Sequence, residues 1–167
     1  DLYYISKISL YTGMRLGEVL DLTVSNINLE SKIIYVNGKT GNRVSYISSE
    51  IISDLKKLAE NREHYLFIGK SGQKLQTSKI SGKISYLINL MGFNNSVKEQ
   101  KHKFVFHTLR HTFCSWLAMK GVPLLTIGEL VGHTTLEMTH RYAKLSPDTK
   151  RAAIEIINEV IKEPKII

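Results

Sequence analysis

Cysteine is almost missing from this chain: Cys114 is the only one in 167 residues. A lone thiol excludes an intramolecular disulfide framework and any multi-thiolate zinc site, and it suits a reducing, cytoplasmic setting. Proline is scarce too, with three in all. No Pro/Gly/Ser-rich linker, internal repeat or low-complexity stretch divides the chain, so one domain is expected. No apolar run approaches the ~18 residues of a membrane span, and no signal-peptide pattern opens the sequence, so no membrane partner is expected. Carboxylates are in deficit, 15 against 23 Lys+Arg, a formal net charge of +8. That excess suits a polyanion, nucleic acid first and an anionic membrane surface second; charge alone does not choose between them. Neither the acidic cluster of a two-metal nuclease nor a P-loop is present.

What is there is an ordinary globular mixture, 43% hydrophobic and 23% charged, which rules out a disordered or collagen-like chain. At this length a fold buries roughly two thirds of its unfolded surface without a staple. Leu2, Ile5, Ile8 and Leu10 stand near helical spacing from the first residues, so we expect a helix over 2–10 and an upstream region beyond a domain boundary. A second helix is expected from Arg15 to Leu22. Residues 32–36 and 43–47 read as paired strands around the hairpin loop 37–42, whose Asn and Gly residues tolerate positive φ. Helices follow over 49–62, 78–91 and 108–120, the last expected to stack Leu109, Phe113, Trp116 and Leu117 on one face. Pro123 opens a short helix ending before Gly132, and Thr134 to Glu137 has the form of a capping box for a helix leading to Tyr142. Ser146-Pro147-Asp148 opens a final helix, with Ala153, Ile154, Ile157, Val160 and Ile161 as a stripe for packing at home or on a neighbouring subunit. The fold class is mainly α with a small antiparallel β-sheet (α+β).

Four groups carry chemistry: Thr12-Gly13-Met14-Arg15-Leu16-Gly17-Glu18, Gly38-Lys39, His107-Thr108-Leu109-Arg110-His111, and Gly132-His133 followed nine residues later by Tyr142. In this order they resemble the signature of the tyrosine site-specific recombinase (phage integrase) family: an Arg in a TGxRxxE segment, a hairpin Lys, an HxxR pair, a Gly-His and a nucleophilic Tyr. Each piece is a weak match alone; the ordered set is specific. The resemblance covers the chain from about Thr12 to the final helix and implies the DNA breaking-rejoining catalytic-domain fold. It implies a prokaryotic or phage-encoded, nucleoid-associated enzyme acting on double-stranded DNA. A helical core-binding domain is expected upstream, and a homotetramer on paired DNA sites in the full-length protein, with this fragment able to stand as a monomer. Integration by a mobile element is preferred to resolution of chromosome dimers.

The reaction that this resemblance implies asks for these residue types, and it implies the following role for each. Tyr142 supplies a phenolic oxygen that attacks phosphorus and holds the DNA as a 3′-phosphotyrosine. Arg15 and Arg110 clamp the non-bridging oxygens with planar, permanently charged forks. His107 and His133 add hydrogen bonds or transfer a proton, and Lys39 protonates the leaving 5′ oxygen. Fixed cations replace a metal and the covalent bond conserves the energy for resealing, so no cofactor, metal or ATP is expected. His111 is set aside as structural, as the family's second histidine tends to be. Glu18 reads as an orienting or structural carboxylate rather than a catalyst.

Each assignment has a plainer counterpart. Arg15 and Glu18 at i, i+3 make a surface ion pair worth about 0.2–0.5 kcal/mol. Lys32 and Arg43 flank the same hairpin as Lys39, and His107 with His111 on one helix face is a zinc-like spacing without a telling third ligand. Lys98, Lys101, His102 and Lys103 form a basic run that serves equally as a solvated loop or a phosphate contact. Two other functions compete: type IB topoisomerase-like strand relaxation, and a non-catalytic DNA-binding module.

Overall fold

A computed structural model describes residues 1–38, 41–60, 62–148, 150 and 153–156. Helix α1 (Leu2–Thr12) turns its Ile5 and Ile8 inward and stops at Gly13, whose φ of 67° closes the helix in the left-handed region. Helix α2 (Leu16–Leu20) follows after Met14 and Arg15. Strands β1 (Ile27–Asn28), β2 (Ile33–Gly38) and β3 (Gly41–Tyr46) form an antiparallel sheet in the order β1-β2-β3. Then come α3 (Ser49–Ala59), α4 (Thr77–Leu90), α5 (Phe106–Met119), α6 (Leu124–Val131) and α7 (Leu136–His140), with a 3-10 turn over Ala143–Leu145. The architecture is the expected helical domain with one small sheet.

Two apolar clusters hold it together. The larger joins α1, α2, the inner face of the sheet, α3 and α4 through Ile5, Ile8, Met14, Ile34, Val36, Ile51, Leu55, Phe67 and Ile84. The smaller joins α5 and α6 through Cys114, Ala118, Ile127 and Val131, and it takes in Tyr142. Period-2 alternation buries Ile34 and Val36 on β2, and the register sets Val36 opposite Arg43 and Ile34 opposite Ser45. Arg43 therefore stands on the inner face of the sheet, beside a core valine.

Three expectations change. Strand pairing runs further than the sequence pattern indicated, out to Gly38 opposite Gly41; Lys39 and Thr40 lie outside the described residues. On α5 the buried line is Phe106, Arg110, Cys114 and Ala118, while Trp116 is 51% exposed and Leu109, Phe113 and Leu117 only flank the core. Hydropathy placed the stripe on the wrong residues because it assigns an arginine to solvent, whereas Arg110 is buried against a carbonyl. The capping box before α7 is not formed: Thr135 is the N-cap without a side-chain bond, and the Thr134 hydroxyl donates instead to Met138 Sδ at 3.6 Å. Of the final helix, residues 150 and 153–156 are helical and Ile154 is 68% exposed; Ile157, Val160 and Ile161 lie outside the described residues.

Candidate active site

Three chain reversals build the site. Gly13 ends α1 and is wedged between α5 and α6: a Cβ there would lie 2.6 Å from Val131 Cγ1 and 2.7 Å from Phe113 Cδ1. Only glycine fits, and its freed carbonyl accepts a hydrogen bond from Arg110 Nη1 at 2.8 Å. Gly132 ends α6 with φ of 70°, and a Cβ there would meet Arg43 Cδ at 2.9 Å. Its carbonyl faces Arg15 Nη2 at 3.5 Å. Tyr142, the residue before the last 3-10 turn, folds back so that its ring enters the α5–α6 cluster.

Glu18 organises the cations. Its Oε2 accepts from the Arg15 backbone N–H at 2.8 Å and from Arg43 Nη2 at 2.9 Å; its Oε1 accepts from Arg15 Nη1 at 3.0 Å and Arg43 Nη1 at 2.9 Å. Burial pushes this carboxyl up, but the Arg43 and Arg15 hydrogen bonds outweigh burial and hold it below its ordinary value. Arg43 Nε reaches the Leu130 carbonyl at 3.3 Å, so one guanidinium ties β3 to α2 and α6. These bonds fix both guanidiniums, which fits a carboxylate that is orienting or structural.

Arg110 is 2% exposed, and its Nη2 has no partner among the described residues. Burial and the nearby Arg15 push its pKa down to about 10, so it remains charged at neutral pH. A buried cation with one donor nitrogen unpaired is costly on its own and marks a place for an anion.

The histidines are neutral by environment. Desolvation, His111, Arg110 and Arg15 push exposed-edged His107 down to about 4; desolvation, Arg110 and Arg15 do the same to His133, also to about 4. That Arg15 and Arg110 act on both imidazoles places these four side chains in one field. His133 is fixed by a 2.7 Å hydrogen bond between Nδ1 and Thr139 Oγ1, and α6 carries Gly128 where a Cβ would crowd that hydroxyl at 2.9 Å.

Tyr142 is 5% exposed, and its hydroxyl lies 2.5 Å from His111 Nδ1. Burial, with Cys114 beside it, holds the phenol well above its ordinary value, against the opposing pull of Arg141 and Arg110. His107 and His111 meet edge to face, ring centroids 4.7 Å apart.

The structure thus brings together Arg15, His107, Arg110, His133 and Tyr142; Lys39 lies outside the described residues. Two residues were undervalued. His111 was set aside although it follows Arg110 directly on α5, and its partner is 31 positions away, beyond any local signal. Arg43 read as a hairpin flank; its place opposite Val36 was the available clue. Against Arg15, Arg43, Arg110 and Arg141 the carboxylate of Glu18 is already shared between two arginines, so the site is cationic and suits a phosphate ester.

Fold and site together define a class, and the chain belongs to the phage integrase family, whose model matches residues 2–148. Its likeness to particular members is specific: it is 30% identical over 164 residues to tyrosine recombinase XerH of Campylobacter jejuni, covering 93% of this chain and 44% of that protein. The solved catalytic domain of bacteriophage HP1 integrase superposes with a TM-score of 0.69 at 26% identity, over 98% of this chain and 84% of that one. The Tn1549 transposon integrase, solved in complex with circular intermediate DNA, shares the fold with a TM-score of 0.75 at 22% identity, over 93% of this chain and 59% of that one. The chain spans about half or less of the curated relatives' length, 44%, 39% and 50% for three of them.

Proposed function

We propose that this chain is the catalytic domain of a site-specific DNA recombinase that cleaves and rejoins duplex strands through a 3′-phosphotyrosine at Tyr142. One observation carries the reading: the buried guanidinium of Arg110 leaves Nη2 without a partner among the described residues, beside Arg15, two neutral imidazoles and a buried phenol. A scissile phosphate there receives two cationic forks, Arg15 held by Glu18 and Arg110 held by the Gly13 carbonyl. Both are preorganised for the extra negative charge of the pentacoordinate transition state. His107 and His133, uncharged at neutral pH, add hydrogen bonds to its oxygens.

The phenol oxygen attacks phosphorus, the 5′ oxygen leaves, and Lys39 on the hairpin supplies its proton. Attack by a DNA hydroxyl on the phosphotyrosine reverses these steps on a new strand, without metal or ATP. Double-stranded DNA is the partner, and paired sites in a homotetramer are the working assembly of the longer protein. The matched relatives carry recombinase and integrase names, which supports strand transfer over supercoil relaxation. Integration by a mobile or phage element, in a bacterial cytoplasm, is the setting this reading favours.

The test is covalent capture. Mixed with nicked half-site duplexes, the chain yields a band that survives denaturing electrophoresis; Tyr142→Phe abolishes it and leaves DNA binding intact. A band that survives Tyr142→Phe removes the tyrosine as nucleophile. For Lys39, a 5′-bridging phosphorothiolate has a leaving sulfur that needs no proton, so it rescues Lys39→Ala; failure of that rescue argues against the lysine as acid.

A further inference from the structure

A nucleophile buried in an apolar cluster needs somewhere to send its proton. Tyr142 is 5% exposed, packed among Cys114, Ala118, Ile127 and Val131, so bulk water does not surround its hydroxyl. The imidazole in hydrogen-bond contact with that hydroxyl is His111, with Nδ1 2.5 Å from Oη. His111 sits one position after Arg110 and one turn after His107 on α5, so the rigid helix that carries the phosphate clamp also carries this imidazole.

We infer that His111 is a catalytic residue, the proton acceptor for Tyr142, an assignment that rests on Tyr142 being the nucleophile. As Oη bonds to phosphorus, the O–H bond breaks and its hydrogen passes to Nδ1, while the P–O5′ bond breaks and the 5′ oxygen takes a proton from a separate acid. In the reverse step a DNA hydroxyl attacks the phosphotyrosine and gives its proton to the conjugate base of that acid, while the His111 imidazolium returns its proton to the departing phenolate as the P–Oη bond breaks. Protons and electron pairs balance in both directions, with no added reactant.

The surroundings suit the role. Among the described residues, the ionisable groups around His111 are Arg110 and His107 on α5, Cys114 one turn further along it, His133 after α6, and Arg141 and Tyr142 after α7. Desolvation, Arg141 and Arg110 lower its pKa, so it is neutral and able to accept near pH 7. A bound phosphodiester adds negative charge beside those arginines and makes the imidazole a better base when substrate is present. The plainer alternative is that His111 only anchors an idle phenol. In that case an amide that keeps the hydrogen bond serves as well.

The experiment separates these. A half-site duplex recovered from a randomised nicked pool by its covalent capture on the chain serves as probe. His111→Asn, whose side-chain amide overlays Nδ1 but accepts no proton, is expected to bind the duplex as wild type and to form the adduct about 10²-fold more slowly, the scale of general-base catalysis. The wild-type rate falls on the acid side as His111 protonates, and that limb disappears in the variant. Added imidazole restores part of the rate to His111→Gly. Wild-type rates in His111→Asn, or no effect of imidazole on a folded His111→Gly, overturn the assignment while leaving Tyr142 as nucleophile. No capture by wild type, or capture by Tyr142→Phe, overturns both together. A measurement without DNA adds a check. ¹⁵N spectra are expected to show unprotonated Nδ1 at neutral pH, with a shift in Tyr142→Phe, whereas an Nδ1–H tautomer would overturn the proposal.

Discussion

Arg110 is built against its own comfort. Its guanidinium is 2% exposed, one arm on the Gly13 carbonyl and the other nitrogen unpaired among the described residues. Replacing a buried, incompletely satisfied charge with an apolar group of similar shape is often neutral or stabilising. Arg110→Met is therefore expected to keep or raise Tm while slowing adduct formation about 10²–10³-fold, the size of a lost oxyanion donor. Thermal unfolding and the capture assay read the two effects separately. A clear fall in Tm with near-normal cleavage would instead assign Arg110 to the scaffold.

At the scale of elements, the Glu18 network joins α2, β3 and α6 through one carboxylate and Arg43. Removing one partner of a buried pair leaves the other unpaired, at about 3–5 kcal/mol. Arg43→Ala, with Arg43 only 11% exposed on its side chain, is expected near the lower end of that range in urea unfolding. It also slows cleavage without touching phosphate, because Glu18 then draws on Arg15 alone. Gly132→Ala strains the same junction twice, through a φ of 70° and a Cβ 2.9 Å from Arg43. It is expected to be destabilising by more than the ~1 kcal/mol of a left-handed residue alone. Equal stability of Gly132→Ala and wild type would show that the α6–β3 junction yields freely.

For the whole molecule, pH is the lever. His107 and His133 ionise at about 4 in the folded chain against an ordinary 6.5, so the unfolded chain binds their protons first. Stability is then complete above pH 6.5 and is lost as pH falls toward 4. Glu18, held below its ordinary 4.5, adds stability that is lost lower still, as the carboxylate protonates through its folded value. The expected record is a Tm that declines from pH 6.5 downward and declines less with phosphate present, since an anion in the site offsets the added charge. A Tm flat to pH 4 would mean the imidazoles are not held among the arginines.

Periodicity and turn chemistry are local, and they determined the local outcomes: the helices over α1, α3 and α4, the hairpin, and the glycine ends of α1 and α6. The ordered TGxRxxE, HxxR and Gly-His…Tyr segments were legible for the same reason, since each spans a few residues. The contacts that make those segments one site are not local. Arg15 meets Gly132 across 117 positions, Arg110 meets Gly13 across 97, and Arg43 meets Leu130 across 87. Hydropathy assigns such arginines to solvent, because the carbonyl or carboxylate that satisfies them belongs to another element. Which face of α5 is buried, that Arg43 is interior, and that His111 holds the tyrosine were decided only when α1, α5, α6 and the sheet packed together. A buried polar group is tolerated only where a partner's lone pair arrives, and only the tertiary fold sets where that is.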